Sequence, residues 1–107
     1  MAPRMTASVL KVAAALLADP AVEHYGLQLM HATGLPSGTL YPILVRLQRA
    51  GWVESRWEQA DPIVEGRPNR RYYRLTAEGA AEARREVAAM QRQMGHAVAP
   101  GAEAQPA

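Results

Sequence analysis

The sequence predicts a mainly α fold with one small β-hairpin. Three observations carry that prediction: apolar residues recur at helical spacing up to Ala50, the period drops to two at Val53, and helical spacing returns after Thr76. At 107 residues the chain makes one domain with a helical appendage.

Residues 1–6 form a loose, flexible N-terminus. Thr6 can cap a helix from Ala7 to about Ala18, which Asp19-Pro20 ends. Its apolar residues Val9, Leu10, Val12, Ala13, Leu16 and Leu17 occupy more than one face, so the helix is expected to be buried on two sides, one of them by a second subunit. A second helix spans Tyr25 to Thr33, and Gly34-Leu35-Pro36 forms a short turn whose Gly closes it. Ser37 then caps a third helix running to about Ala50. There Leu40, Ile43, Leu44 and Leu47 fall on one face, and Pro42 is expected to distort the first turns. Gly51 stops this helix, with Trp52 folding back onto Leu47.

Val53, Ser55 and Trp57 alternate with Glu54 and Arg56 as a first strand; Arg71, Tyr73 and Leu75 alternate with Tyr72 and Arg74 as a second. The polar stretch between them, EQADPIVEGRPNR, is too rich in Pro, Gly and charge to pack, and makes a long hairpin tip. A last helix follows Thr76 to about residue 96. Within it Ala80, Ala83, Val87, Met90, Met94 and Ala97 alternate by three and four, the pattern of a helix-pairing seam. The Ala-, Pro- and Gly-rich residues 97–107 read as a disordered tail.

Composition narrows the functions. Apolar residues make up 49% of the chain, ordinary for a globular protein, yet there is no Phe and much of that share is Ala, so a core shared between subunits is a natural remedy for a thin one. No Cys is present, which excludes disulfides and thiolate metal sites, and His24, His31 and His96 lack ligand spacing; neither a metal nor another cofactor is expected. There is no nucleophile–base arrangement and no phosphate-cradling Gly motif, so an enzyme is not expected. Arg4 and the apolar run Val9 to Ala18 mimic a secretory leader, but Lys11 interrupts the run and Asp19-Pro20 occupies the cleavage region. The run is also far below the roughly 20 residues of a membrane span. A cytoplasmic protein is expected. The net charge of +2 is small, but Arg67, Arg70, Arg71 and Arg74 cluster with no acid among them. Arginine's planar fork suits phosphate and guanine edges.

Two short helices joined by a Gly-containing turn, with a β-hairpin after the second, follow the order of a winged helix-turn-helix. In such a fold the second helix enters the major groove and the hairpin, or wing, lies along the backbone. The third helix here starts with the small, hydrogen-bonding residues Ser37, Gly38 and Thr39, where backbone can approach DNA and free N–H groups attract phosphate. The organisation is thus a DNA-binding domain over 7–76 and a dimerisation helix over 77–96.

At this point the residues resemble a known family. The run YGLQLMHATGLPSGTLYPILVRLQRAGWVESRWE followed by GRPNRRYYRLTAEG is similar to the PadR family of bacterial transcriptional regulators, over about residues 7–90. The resemblance implies a homodimeric repressor that binds an inverted-repeat operator in double-stranded DNA, and in many members a small molecule held near the dimer interface releases it. The chain is short for the family, with one helix after the wing. It departs from the pattern at Asn69 inside the Arg block and in the acidic loop at Asp61 and Glu65.

The candidate DNA-binding residues are Ser37, Gly38, Thr39, Tyr41, Pro42, Arg46, Arg67, Arg70 and Arg71. Ser37 can cap the helix and touch phosphate at once, while Arg46 and Arg49 also suit the negative end of the helix dipole. Only Glu65 stands out as an acid that could pair the wing arginines. The candidate dimerisation residues are Val9, Leu10, Ala13, Leu17, Val87, Met90 and Met94. Trp52 and Trp57 are the candidates for stacking on a flat effector, against simple core packing for Trp52. A competing function is a protein-interaction module that keeps the winged scaffold without reading DNA.

Overall fold

The structure is a computed structural model that describes residues 3–103, with side chains through residue 95. Helix α1 (Ala7–Leu17) starts as its sequence dictates, with the Thr6 hydroxyl accepting from Val9 N at 3.2 Å. Val9, Val12, Ala13 and Leu16 are buried in the chain's own core. Val9 and Ala13, at 1% and 0% exposure, therefore hold this fold together and are not available to a second subunit, a correction to the dimer set. Leu17 also packs against the core, whereas Leu10 is half-buried at the outer flank.

A two-residue strand β1 (His24–Tyr25) precedes α2 (Gly26–Thr33) and pairs antiparallel with the later strand at Tyr73 and Tyr72. The expected hairpin is thus a three-stranded sheet of order β1-β3-β2, and Tyr25 belongs to a strand and the α2 cap rather than to the helix body. Gly34 closes α2 in the left-handed region, its N–H on Met30 O at 2.8 Å.

Helix α3 (Ser37–Arg49) begins one position differently from the sequence expectation. Pro36 is the cap, with extended ψ of 160°, and Thr39 and Leu40 N–H both bond its carbonyl. Ser37 is the first helical residue and caps nothing. Pro42 does not break the helix: its missing N–H faces the Gly38 carbonyl, on a solvent-exposed turn where that oxygen is open to water. Leu40, Ile43, Leu44 and Leu47 are all at most 1% exposed, and burying each contributes about 1.5–3 kcal/mol. Gly51, at φ 79°, turns the chain out of the helix, and the bonds Gly51 N to Gln48 O and Trp52 N to Leu47 O complete a Schellman stop. Trp52 is buried beside Leu47, as its sequence position requires.

Strands β2 (Val53–Trp57) and β3 (Arg71–Leu75) fall where the period-two pattern puts them, in a register that sets Val53 opposite Leu75 and Trp57 opposite Arg71. The long tip carries a single helical turn, α4 (Pro62–Glu65), capped by Asp61 and unpacked, with Ile63 and Val64 exposed. Helix α5 (Ala77–Glu103) opens on Thr76, whose hydroxyl donates to Gly51 O at 2.7 Å and accepts from Gly79 N at 2.9 Å. That bond pins the start of α5 to the end of α3. Gly79 packs so closely on the Trp52 backbone that a Cβ would lie 2.0 Å from its carbonyl oxygen.

Helix α5 runs beyond the expected boundary at residue 96, through the helix-compatible run Ala97-Val98-Ala99; residues 104–107 of the expected tail lie outside the described residues. Of its seam, Ala80 and Ala83 are buried within this chain, Val87 and Met90 are half-buried and Met94 is exposed. The Ala97 and His96 side chains lie outside the described residues.

Candidate nucleic-acid interface

The apolar stripe of α3 faces inward, so its other residues must face out. Ser37, Gly38, Thr39, Tyr41, Pro42, Val45, Arg46 and Arg49 are all exposed, and the Ser37 and Gly38 N–H groups have no backbone partner at the positive end of the helix dipole. The wing meets this face: Val45, Gln48, Arg49 and Arg71 line one shallow groove. A second groove, between the start of α2 and the wing, is lined by Tyr25, Tyr41, Trp57, Arg70, Arg71 and Tyr73. Burial pushes the Tyr73 phenol above its ordinary pKa.

The wing arginines divide into two kinds, which the sequence does not separate. Arg67 makes a two-pronged ion pair with Glu58, Nη1 to Oε1 at 2.6 Å and Nη2 to Oε2 at 3.0 Å. Glu58 also accepts from Arg70 N and the Tyr72 hydroxyl. The Arg67 hydrogen bond is the main cause that lowers the Glu58 carboxyl to a pKa of about 2, with the Arg70 N–H and Tyr72 hydroxyl adding to it. Arg67 is thereby a clamp across the base of the tip, its charge already paired before any DNA arrives. Arg74 pairs with Glu54 at 2.7 Å and Arg56 with Glu23 at 2.6 Å, the latter hydrogen bond lowering the Glu23 pKa.

Arg70 and Arg71 have no carboxylate partner among the described residues. Each instead lies over an aromatic ring, Arg70 at 4.0 Å from the Tyr25 centroid and Arg71 at 5.5 Å from Trp57. Arg71 also donates twice to Ser55 Oγ, at 3.1 and 2.9 Å. A stacked guanidinium keeps its full charge and loses little rotamer freedom on meeting a phosphate. Trp52 and Trp57 do not share a site. One is buried at the α3–β2 corner and the other is exposed at the far end of β2, five residues and roughly 16 Å further along the chain. The tyrosines that carry the wing, Tyr25 and Tyr72, stack edge to face at 6.0 Å. Sequence periodicity does not place Tyr25 here, because its own strand, β1, is two residues long.

A helix pair with one solvent-facing outer face, flanked by a hairpin that carries two arginines without a carboxylate partner among the described residues, defines a winged helix-turn-helix DNA-binding protein. The family model for the transcriptional regulator PadR-like family matches residues 20–85, and the chain belongs to that family of DNA-binding transcriptional regulators, a non-enzymatic class. Solved structures agree. A PadR family transcriptional regulator from Eggerthella lenta is 27% identical, covering 88% of this chain and 82% of its own, with a TM-score of 0.65. A PadR-like transcription factor from Bacteroides fragilis shares the fold at 23% identity and TM-score 0.62, covering 83% of this chain and 85% of its own. The PcaV transcriptional regulator from Streptomyces coelicolor, in complex with its natural ligand, is 27% identical with a TM-score of 0.68, covering 90% of this chain but 62% of its own length. No curated protein matches the sequence at a significant level. Among the described residues no helix is long and apolar enough to cross a membrane, and no cluster of potential metal ligands is present.

Proposed function

We propose that the chain is a cytoplasmic repressor that binds an inverted-repeat operator as a homodimer, with a small molecule modulating that binding. The observation that best supports it is the outer face of α3, running from Ser37 to Arg49 and continuing into Arg70 and Arg71, which have no acid partner among the described residues. In this reading Thr39, Tyr41, Pro42 and Arg46 meet base edges and backbone, Ser37 and Gly38 hold a phosphate through N–H groups, and the two wing arginines grip the neighbouring strand.

Pairing of two copies rests on the outer flank of α1 against α5. There Leu10, Ala14, Val87, Met90 and Met94 line an apolar groove with Lys11 at its edge. Covering these side chains with the same groove of a second copy buries what one chain leaves wet, and a two-fold pair places two α3 helices on one face of a duplex. Of the effector candidates Trp57 is the one whose ring is open to stacking.

A reporter assay tests the whole proposal. A DNA site selected by the protein is placed across a bacterial promoter, and expression is measured with and without the protein and with added metabolite extracts. Lowered expression that the extracts restore is expected. Unchanged or raised expression contradicts the repressor role, and repression that no extract relieves contradicts the effector.

A further inference from the structure

We infer that Gly26, on α2, is a positioning residue for sequence reading by α3: its missing side chain is the seat that fixes the Tyr41 phenol. A Cβ at Gly26 would lie 2.0 Å from the Tyr41 hydroxyl and 2.8 Å from its Cζ. Both distances are far inside contact, and the atoms met belong to the tip of one side chain rather than to backbone. Gly26 is buried, while Tyr41 keeps 42% of its surface exposed on the outer face of α3. The ring is therefore held at its tip by a neighbouring element and open along its flank.

The chain has no backbone need for glycine at this point. The φ of Gly26 is not in the left-handed region, and alanine is preferred to glycine within helices. What glycine supplies is room for the phenol. A seated tyrosine presents one edge in one place at little cost in rotamer entropy, which suits a residue that reads a sequence. Displaced, the ring would swing within the groove it shares with Trp57, Arg70 and Tyr73, and its edge would no longer meet a fixed base position.

This inference rests on the DNA-reading role proposed above. Its test uses the full chain as wild type, Gly26→Ala, Tyr41→Ala and the double variant. Each selects duplexes from a random pool, and each is titrated with the duplex the wild type prefers and with a scrambled duplex of equal composition. Gly26→Ala is expected to melt at or above the wild-type temperature and to bind the scrambled duplex within about twofold of wild type, with the same salt dependence. On the preferred duplex it should lose roughly tenfold and select an altered sequence. Tyr41→Ala should lose as much, and adding Gly26→Ala to it should change nothing further.

Additive losses, equal losses on both duplexes, an unaltered selected sequence or a Gly26→Ala protein that does not fold would each overturn the inference. If the wild type itself enriches no sequence, the DNA-reading role fails and the inference with it. If wild type and Gly26→Ala enrich the same sequence, the role stands and only the inference fails.

Discussion

Replacing Arg70 and Arg71 together by Ala should flatten the salt dependence of DNA binding, whereas replacing Arg67 should not. An arginine that neutralises a phosphate releases condensed counterions, and each such contact adds about 0.9 to the slope of log K against log salt. Arg70 and Arg71 bring an uncompensated charge to that contact; Arg67 is already neutralised by Glu58 at 2.6 Å. Two lost contacts per protomer make four in a two-fold complex, a slope change of about 3.6. Between about 50 and 200 mM salt the wild type should then lose roughly a hundredfold more affinity than the double variant. Fluorescence anisotropy with a labelled duplex at five salt concentrations measures the slope directly. Arg67→Ala should keep the wild-type slope and show its effect as a lower melting temperature, through the loosened tip. If Arg67→Ala flattens the slope as much as the double variant, or if the double variant keeps the full slope, the division of the wing arginines into clamps and contacts is wrong.

Four further outcomes follow from the same structure. Thr39→Ala, at an exposed position on the outer face of α3, should change which sequence is preferred while leaving affinity for random DNA within about twofold; equal losses on both would remove Thr39 from base reading. The Glu58 carboxyl is depressed in the folded state, so its contribution to stability is complete above its ordinary value near 4.5 and is lost as pH falls from there through about 2. Thermal melts across that range should show a larger pH-dependent loss in wild type than in Glu58→Gln, which keeps only the share of carboxylates such as Glu23, and identical profiles would contradict the clamp. Gly79→Ala should destabilise by about 2–3 kcal/mol or more in denaturant titrations, because the added methyl meets the Trp52 backbone, which cannot swing aside; a neutral result would refute that packing. Leu10→Glu with Met90→Glu should turn a dimer into a folded monomer by light scattering, since both residues line the outer groove, and an unchanged mass would place the interface elsewhere.

Much of this molecule is legible in its sequence, and the failures have local causes. Strands β2 and β3 announce themselves by alternation, and the end of α3 by the Gly51-Trp52 pair, because local sequence alone sets those features. Strand β1 is illegible because two residues carry no period; only pairing with Tyr72 and Tyr73 makes His24-Tyr25 a strand. The start of α3 misled because Ser37 is a good cap, yet Pro36, with its φ already set near that of a helix entry, takes the position first. The apolar surround of α1 hid which residues its own chain would bury, since a monomer core and a partner leave the same composition.

The site was readable as a surface and less so as chemistry. The exposed face of α3 follows from its buried stripe, but the pairing of Arg67 depends on strand register. Continuing that register past Trp57 and Arg71 sets Glu58 beside Arg70, and the Glu58 N–H bonds the Arg70 carbonyl at 2.7 Å. The ion pair reaches past Arg70 to Arg67, a step along the tip that strand spacing does not set. The Gly26 seat had no signal at all in the sequence, because it joins two helices through space.

The most direct measurement is selection of bound duplexes from a random pool at physiological salt, followed by affinity determination for the enriched sequence and a scrambled one. An enriched inverted repeat is predicted, its half-sites about one helical turn apart and bound roughly a thousandfold or more tightly than the scrambled duplex. Enrichment of no motif, or equal affinity for both duplexes, would contradict the claim that the outer face of α3 reads DNA.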